Sequence, residues 1–343
     1  MNLKELSEIL GLSQTTVSRA LNGYPEVSDS TRRRVEEAAR HYNYRPNRRA
    51  TSLATGRSMT IGHVIPTSTQ HEMVNPIFGD FVAGAAEVYG ARGYDMLFSQ
   101  VADGDEQSAY AELKRKGTVD GVIVQGPKVD DDRIANLNEI GIPYVVHGRS
   151  SGATQDYSWV DVNNRRSFQR ATEFLLDLGH RRIALINGLE DLDFAQRRRE
   201  GYLEALASRG VEPDPDLMRS AEMTEVYGHH ETRDMLQLEH PPTAILAASM
   251  ISAIGVRRAI EEAGLTIGRD ISVITHDDDL SYLKNGQDIP IFTATRSSVR
   301  EAGRILADML LRRIENPDAP PEHILLEAEL VVGRSTGPAP KGT

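Results

Sequence analysis

The stretch that most restricts the possible folds is the first, LKELSEILGLSQTTVSRALN, running from Leu3 to Asn22. Leu3, Leu6, Ile9 and Leu10 recur at three- and four-residue steps, the spacing of one helix face. Gly11 breaks that pattern, and Ser13 offers an N-cap hydroxyl to a second helix spanning Gln14 to Leu21. Val17 and Leu21 form its inner side, so Gln14, Thr15, Ser18 and Arg19 point elsewhere. Two short helices joined by a glycine-containing turn make a helix-turn-helix, whose second helix fits the major groove of DNA. Any helical hairpin can carry such a turn. Here the outer face is polar and hydrogen-bonding rather than acidic, which suits base reading.

After the loop GYPEV, Ser28 opens a third helix through DSTRRRVEEAARHYNY, with Val35, Ala38, Ala39 and Tyr42 as its inner stripe. Arg32, Arg33 and Arg34 lie near its N-terminus, where they oppose the helix dipole; they serve either phosphate contact or a solvated basic face. Pro46 is placed to start a short helix over Asn47 to Ala54, which Gly56 stops. That segment is shorter than the ~12–15 residues at which an isolated helix is even marginal, so it folds only against a partner. Leu53 is its one bulky apolar residue, close to Arg48 and Arg49. A lone leucine among cations suits a minor-groove wedge; the alternative is a linker leucine packed on the body.

Charge sets these first residues apart from the remainder of the chain. The 343 residues carry a net −11, which by itself argues against nucleic acid. Residues 1–58, however, hold ten Lys/Arg against six Asp/Glu, a net +4, which leaves −15 on residues 59–343. A basic head on an acidic body confines phosphate attraction to one end. The chain contains no cysteine, so disulfides and thiolate metal sites are excluded. Its most apolar run, Thr243 to Ile254, is too short and too polar to span a bilayer, and no apolar leader follows Met1. A cytoplasmic protein without a membrane partner is expected.

From Thr60 onward, β-rich runs at 60–66, 94–100, 120–126, 143–149, 181–188, 243–249 and 271–277 alternate with helical patterns. The helices are expected at 77–91, 105–116, 130–139, 164–178, 196–209, 228–238, 252–263 and 298–314. Such alternation indicates parallel sheets covered on both faces, an α/β fold. The length suggests two Rossmann-like halves, the first ending near residue 160, with ligands outside the carboxyl ends of the strands. The expected division is a helix-turn-helix head over 1–45, a short helix and linker over 46–58 and an α/β region over 59–343.

Catalytic patterns are missing. The sequence holds no G-x-G-x-x-G, P-loop, G-x-S-x-G or H-E-x-x-H motif, so no cofactor, metal or catalytic residue is assigned. Adjacent His229 and His230 read as surface residues. Among Asp277, Asp278 and Asp279, after the strand ISVITH, one carboxylate accepting from sugar hydroxyls needs fewer helpers than an acid/base pair. The single tryptophan, Trp159, is placed either to stack on a sugar or to pack in a core or dimer contact.

The runs LSQTTVSRALNG, VSDSTRRRV, YRPN and SLATGRSMTIGHVIP resemble the lac/gal-type bacterial repressor family, densely over residues 2–66. The likeness continues more loosely in NPIF, LGHRRIALI, RRREGY, DISVITHDDD and LVVGRST. It implies a helix-turn-helix head with a hinge helix and a body of periplasmic-binding-protein type. Gln14, Thr15 and Arg19 would then read bases, with Ser13, Thr16, Ser18 and Asn22 nearer the backbone. Leu53 would be the minor-groove leucine, flanked by Asn47, Arg48 and Ala50. In the effector cleft, Phe78 falls on an apolar contact, Arg198 on an arginine that grips ligand oxygens, and Asp277 on the hydroxyl-binding aspartate. The sequence departs from the family at Ser249-Met250, where Asn-Asp is common, at Gly148-Arg149, where an aspartate is common, and at Ser297, where glutamine is frequent. Ser249 and Arg149 are therefore counted with the effector residues.

The implied function is a homodimeric regulator, a repressor, that binds a pseudo-palindromic double-stranded operator and senses a small sugar. Overall the chain is similar to regulators of α-glucoside utilisation. No leucine heptads precede the C-terminal GPAPKGT, so no tetramerising tail is expected. The rival readings are an activator, a transport-type sugar-binding protein, against which the basic head counts, and an enzyme on an α/β scaffold.

Overall fold

The computed structural model describes residues 1–44, 56–66, 72–102 and 104–340, and separates into a head ending at Met59 and a body beginning at Thr60. In the head, α1 (Leu3–Leu10) starts with a capping box between Asn2 and Glu5 and ends at Gly11, whose φ of 61° is left-handed. The hydroxyl of Ser13 accepts from the Thr16 amide at 3.1 Å and opens α2 (Gln14–Leu21). Ser28 does the same for α3 (Asp29–His41). Leu6, Leu10, Val17, Ala20, Val35 and Ala39 close one small core.

Three expectations for the head need correction. Ile9 is 50% exposed, because it lies at the flank of the stripe that Leu6 and Leu10 define. Tyr42 is 42% exposed: it caps α3, and the left-handed Asn43 turns Tyr44 into the core instead. Leu21 is only partly buried, and Ala20 takes the inner position. The arginines also divide their work. Arg32 donates to the Tyr24 carbonyl at 3.0 Å, tying the preceding loop to α3, and Arg34 donates to the Leu10 carbonyl, tying α3 to the end of α1. Among the described residues, Arg33 alone of the three has no such internal bond.

The body holds two six-stranded sheets. The first contains β1 (Thr60–Pro66), β2 (Asp95–Val101), β3 (Gly121–Gln125), β4 (Tyr144–His147), β5 (Trp159–Val162) and β11 (His323–Leu326), in the order β11-β5-β4-β3-β1-β2. The second contains β6 (Ile183–Asn187), β7 (Met218–Ser220), β8 (Ala244–Ala247), β9 (Ser272–Asp277), β10 (Thr293–Arg296) and β12 (Glu329–Val331), in the order β12-β10-β9-β8-β6-β7. Every pairing is parallel except β10 with β12. Both halves thus share one doubly wound order, with switch points between β1 and β3 and between β6 and β8.

Alternation along the strands places the two cores. Ile183 and Leu185 join Phe168, Leu175, Tyr202 and Leu206 on one face of the second sheet. Ala184 and Ile186 join Met235, Val256 and Ile260 on the other. The helices Asn164–Asp177 and Asp193–Ser208 cross at Gly201, where a Cβ would meet the Arg165 carbonyl at 2.0 Å. Only glycine permits that approach.

The halves are not divided by one cut near residue 160. The chain leaves the first sheet after β5, returns through the Val299–Glu315 helix to β11, and crosses again to β12. The strands β5, β7, β10, β11 and β12 are at most four residues long and, unlike β4 and β8, lie in no extended apolar run that the sequence pattern could reveal. Two clasps join the halves. Asp193 accepts from the Ser151 amide at 2.7 Å, beside a backbone bridge between Lys128 and Leu192. The Ser281 amide donates to Asp80 at 2.6 Å.

Candidate functional site

On α2, the side chains of Gln14, Thr15 and Arg19 are exposed, whereas the inner Val17 and Ala20 are buried in the head core. Ser13 and Thr16 bond each other at 2.8 Å, and Asn22 donates to the Ser18 carbonyl at 2.9 Å. These four polar residues therefore brace the ends of α2. That leaves Gln14, Thr15 and Arg19 as its unsatisfied hydrogen-bonding surface, which matches what base edges in a major groove require.

In the body, a cavity of about 470 Å³ lies between the two sheets at the carboxyl ends of their strands. Phe78, Phe81 and His147 line it from the first half, and Phe194 lines it from the second. His147 stacks on Phe81 with ring centroids 4.5 Å apart, and burial pushes its pKa down to about 4, so the ring stays neutral. Polar groups converge on it from both halves, Gln125 and Asp161 from the first and Arg198, His276 and Asp278 from the second.

Arg198 is the central one. It is 6% exposed and sandwiched between Phe168 and Phe194, each ring centroid 4.9 Å from its guanidinium carbon. Nε donates to Asn164 at 2.7 Å and Nη1 to the Ala248 carbonyl at 2.6 Å. Among the described residues Nη2 has no hydrogen-bond partner. Burial lowers the Arg198 pKa to about 10, against the pull of Asp278 and Asp161, yet the group stays charged near neutrality. Asp278 is pushed up to about 7, by burial first, with Arg198 pulling down and Asp277 pushing up. His276 bonds Thr295 at 3.1 Å and Ser297 at 3.2 Å; burial and the Arg198 charge hold it neutral.

Residues 2–47 match the family model of bacterial regulatory proteins of the lacI family, and residues 172–336 match the periplasmic binding protein-like domain. The chain is 47% identical over 340 residues to the HTH-type transcriptional regulator AglR of Rhizobium meliloti, covering 99% of this chain and 95% of that protein. It belongs to the lacI family of bacterial regulatory proteins. Among solved structures, the transcriptional regulator CelR–cellobiose complex matches with a TM-score of 0.72 at 29% identity, over 98% of this chain and 99% of that one. The lac repressor dimer bound to operator and an anti-inducer matches with a TM-score of 0.81 at 28% identity, again over 98% and 99%. The chain is thus a DNA-binding transcription regulator and not an enzyme. Among the described residues no cluster of His, Asp or Glu is arranged to hold a metal, and no helix is long and apolar enough to cross a membrane.

Of the five effector residues named from the regulator's sequence, the structure brings Phe78 and Arg198 into the cleft. Ser249 is fully buried and caps the Met250–Glu262 helix, its hydroxyl accepting from the Ser252 amide at 3.2 Å. Asp277 is spent on a turn: it accepts from the Asp279 amide at 2.9 Å, with Asp279 left-handed at φ 53°. That turn aims Asp278, not Asp277, into the cavity. Arg149 reaches the cleft only through Asp161, to which its Nε donates at 2.7 Å. Trp159 stacks on His323 at 5.0 Å, with the Arg149 guanidinium carbon also 5.0 Å from its ring, and is absent from the lining. Asn47, Arg48, Ala50 and Leu53 lie outside the described residues. Sequence reasoning missed Gln125, Asp161 and Asn164, and from the triplet Asp277 to Asp279 it chose Asp277 where Asp278 lines the cavity. The available signal was their place just at or after strand ends.

Proposed function

We propose that this regulator is a homodimeric, cytoplasmic repressor of a carbohydrate-utilisation operon, holding a pseudo-palindromic operator until a small sugar, an α-glucoside, fills the body cleft. The cleft carries the reading: flat aromatic walls suit the C–H faces of a sugar ring, and buried carboxylates with one arginine suit its hydroxyls. The relatives agree in kind, one solved with cellobiose and another as a dimer on operator DNA.

Gln14, Thr15 and Arg19 read bases, with Ser13, Thr16, Ser18 and Asn22 holding α2 against the backbone. Residues 1–45 are the reader, 46–58 the hinge, with Asn47, Arg48, Ala50 and the wedge Leu53, and 59–343 the sensor. A coupling of about 1–3 kcal/mol between sugar and operator suffices for a switch. A thermal-shift screen against common mono- and disaccharides, followed by titration of the protein's own promoter region with and without the responding sugar, tests this. Binding that ignores the promoter, or holds it identically whatever sugar is supplied, overturns the reading.

A further inference from the structure

The ends of β3, β4 and β5 lie side by side at the cleft: Gln125 pairs with His147, and His147 with Val160. Just after β4, beyond His147, the first half offers no side chain. Gly148 has a φ of 109°, and a Cβ there would meet Pro127 at 2.8 Å. One strand further on, Asp161 lines the cavity and is 5% exposed. Its Oδ2 accepts from Arg149 Nε at 2.7 Å, and its Oδ1 from Asn164 Nδ2 at 3.3 Å. The Asn164 amide oxygen in turn accepts from Arg198. Each carboxylate oxygen has two lone pairs, so Asp161 retains acceptor capacity toward the cavity. Across the same wall, Gln125 Nε2 is buried without a hydrogen-bond partner among the described residues, a donor awaiting an oxygen.

We propose that Asp161 supplies the first half's hydroxyl-binding carboxylate for an uncharged, polyhydroxylated ligand, and that Arg149 is a positioning residue acting through it. This rests on the sugar reading above and adds which carboxylate does the work. Burial pushes the Asp161 carboxyl up, and Arg149 pulls it back down. The same guanidinium fixes the Asp161 rotamer while lying over Trp159. Uncharged ligands are favoured because, among the described residues, Arg198 is the one guanidinium lining the cleft and it already faces Asp278 and Asp161, while Arg149 and Arg258 are spent on ion pairs with Asp161 and Glu225. A phosphate or carboxylate on the ligand would meet these carboxylates without a cation left uncompensated to receive it.

Maltose, sucrose and trehalose are first compared by thermal shift on the full chain. The one with the largest shift is titrated calorimetrically into parent, Asp161→Asn, Arg149→Met and the double variant. We expect Asp161→Asn to bind at least tenfold more weakly and Arg149→Met to lose part of that. The double variant is expected to be no weaker than Asp161→Asn, because a residue acting through Asp161 has nothing left to position. The 6-phosphate of the same sugar is expected to bind at least tenfold more weakly than the sugar. Equal binding by Asp161→Asn, full additivity of the Arg149 loss, or tighter binding of the phosphate each overturns the proposal. Sugar-free melting temperatures check folding; should Asp161→Asn melt well below the parent, Asp161→Glu, which keeps the charge but displaces it, replaces it with the same expected loss. If none of the three sugars shifts the parent, the sugar reading itself fails, and this inference with it.

Discussion

At Asp278 the cleft holds a carboxyl pushed up to about 7, where an exposed aspartate titrates near 4. A sugar hydroxyl donating to it favours the ionised form. Sugar affinity should therefore climb from pH 6 to 8, by at most tenfold per pH unit below the pKa, and level off above it. The sign for the empty protein is opposite. A carboxyl whose folded pKa is raised contributes stability that is complete below its unfolded pKa and disappears as pH rises through about 7. Calorimetric titrations at three pH values check this, and Asp278→Asn should flatten the profile; a flat profile in the parent refutes it. On α2, Arg19→Ala should weaken specific operator binding by about 1–3 kcal/mol while the head melts as before, since the side chain is exposed. A competition assay with operator and scrambled duplex reads the difference, and an equal loss on both would reassign Arg19 to phosphate contact.

The elements explain why the cleft has its shape. The pair of helices crossing at Gly201 brings Arg198 against Phe168, and the turn after β9 chooses which aspartate faces the ligand. The clasp at Asp193 holds the halves together from the loop after β6. Its carboxylate accepts from the Ser151 amide and pairs with Arg197, while its own amide donates to the Pro127 carbonyl at 3.0 Å. Asp193→Ala strands a backbone donor and frees a guanidinium, at a cost of about 1.5–3 kcal/mol for each charge-assisted bond. We expect weaker sugar binding and a larger radius of gyration in small-angle scattering of the sugar-loaded protein. Unchanged scattering and affinity would show that the clasp does not hold the halves.

For the whole molecule, charge decides where DNA goes. The +4 head attracts phosphate, and the −15 body repels it. Contact with the duplex therefore rests on few residues, and Leu53, if it is the proposed minor-groove wedge, should matter out of proportion to its size. Leu53→Ala is expected to lower specific operator affinity without altering the melting shift that sugar produces. Equal operator binding by variant and parent at one salt concentration sinks that expectation.

Much of the molecule was legible from residues alone. The caps at Ser13 and Ser28, the turn at Gly11 and the apolar runs of β1, β3, β6, β8 and β9 are local, so spacing and residue type locate them. The cleft was legible only in part: Phe78 and Arg198 follow from motif, whereas Asp161 and Asp278 depend on strand order and on one left-handed residue. Sequence by itself thus fixes which segments become helix and strand, because hydrogen bonding and amphipathicity act between near neighbours. Tertiary structure alone decides which carboxylate meets the ligand, because a side chain's target depends on what packs across the sheet from distant parts of the chain.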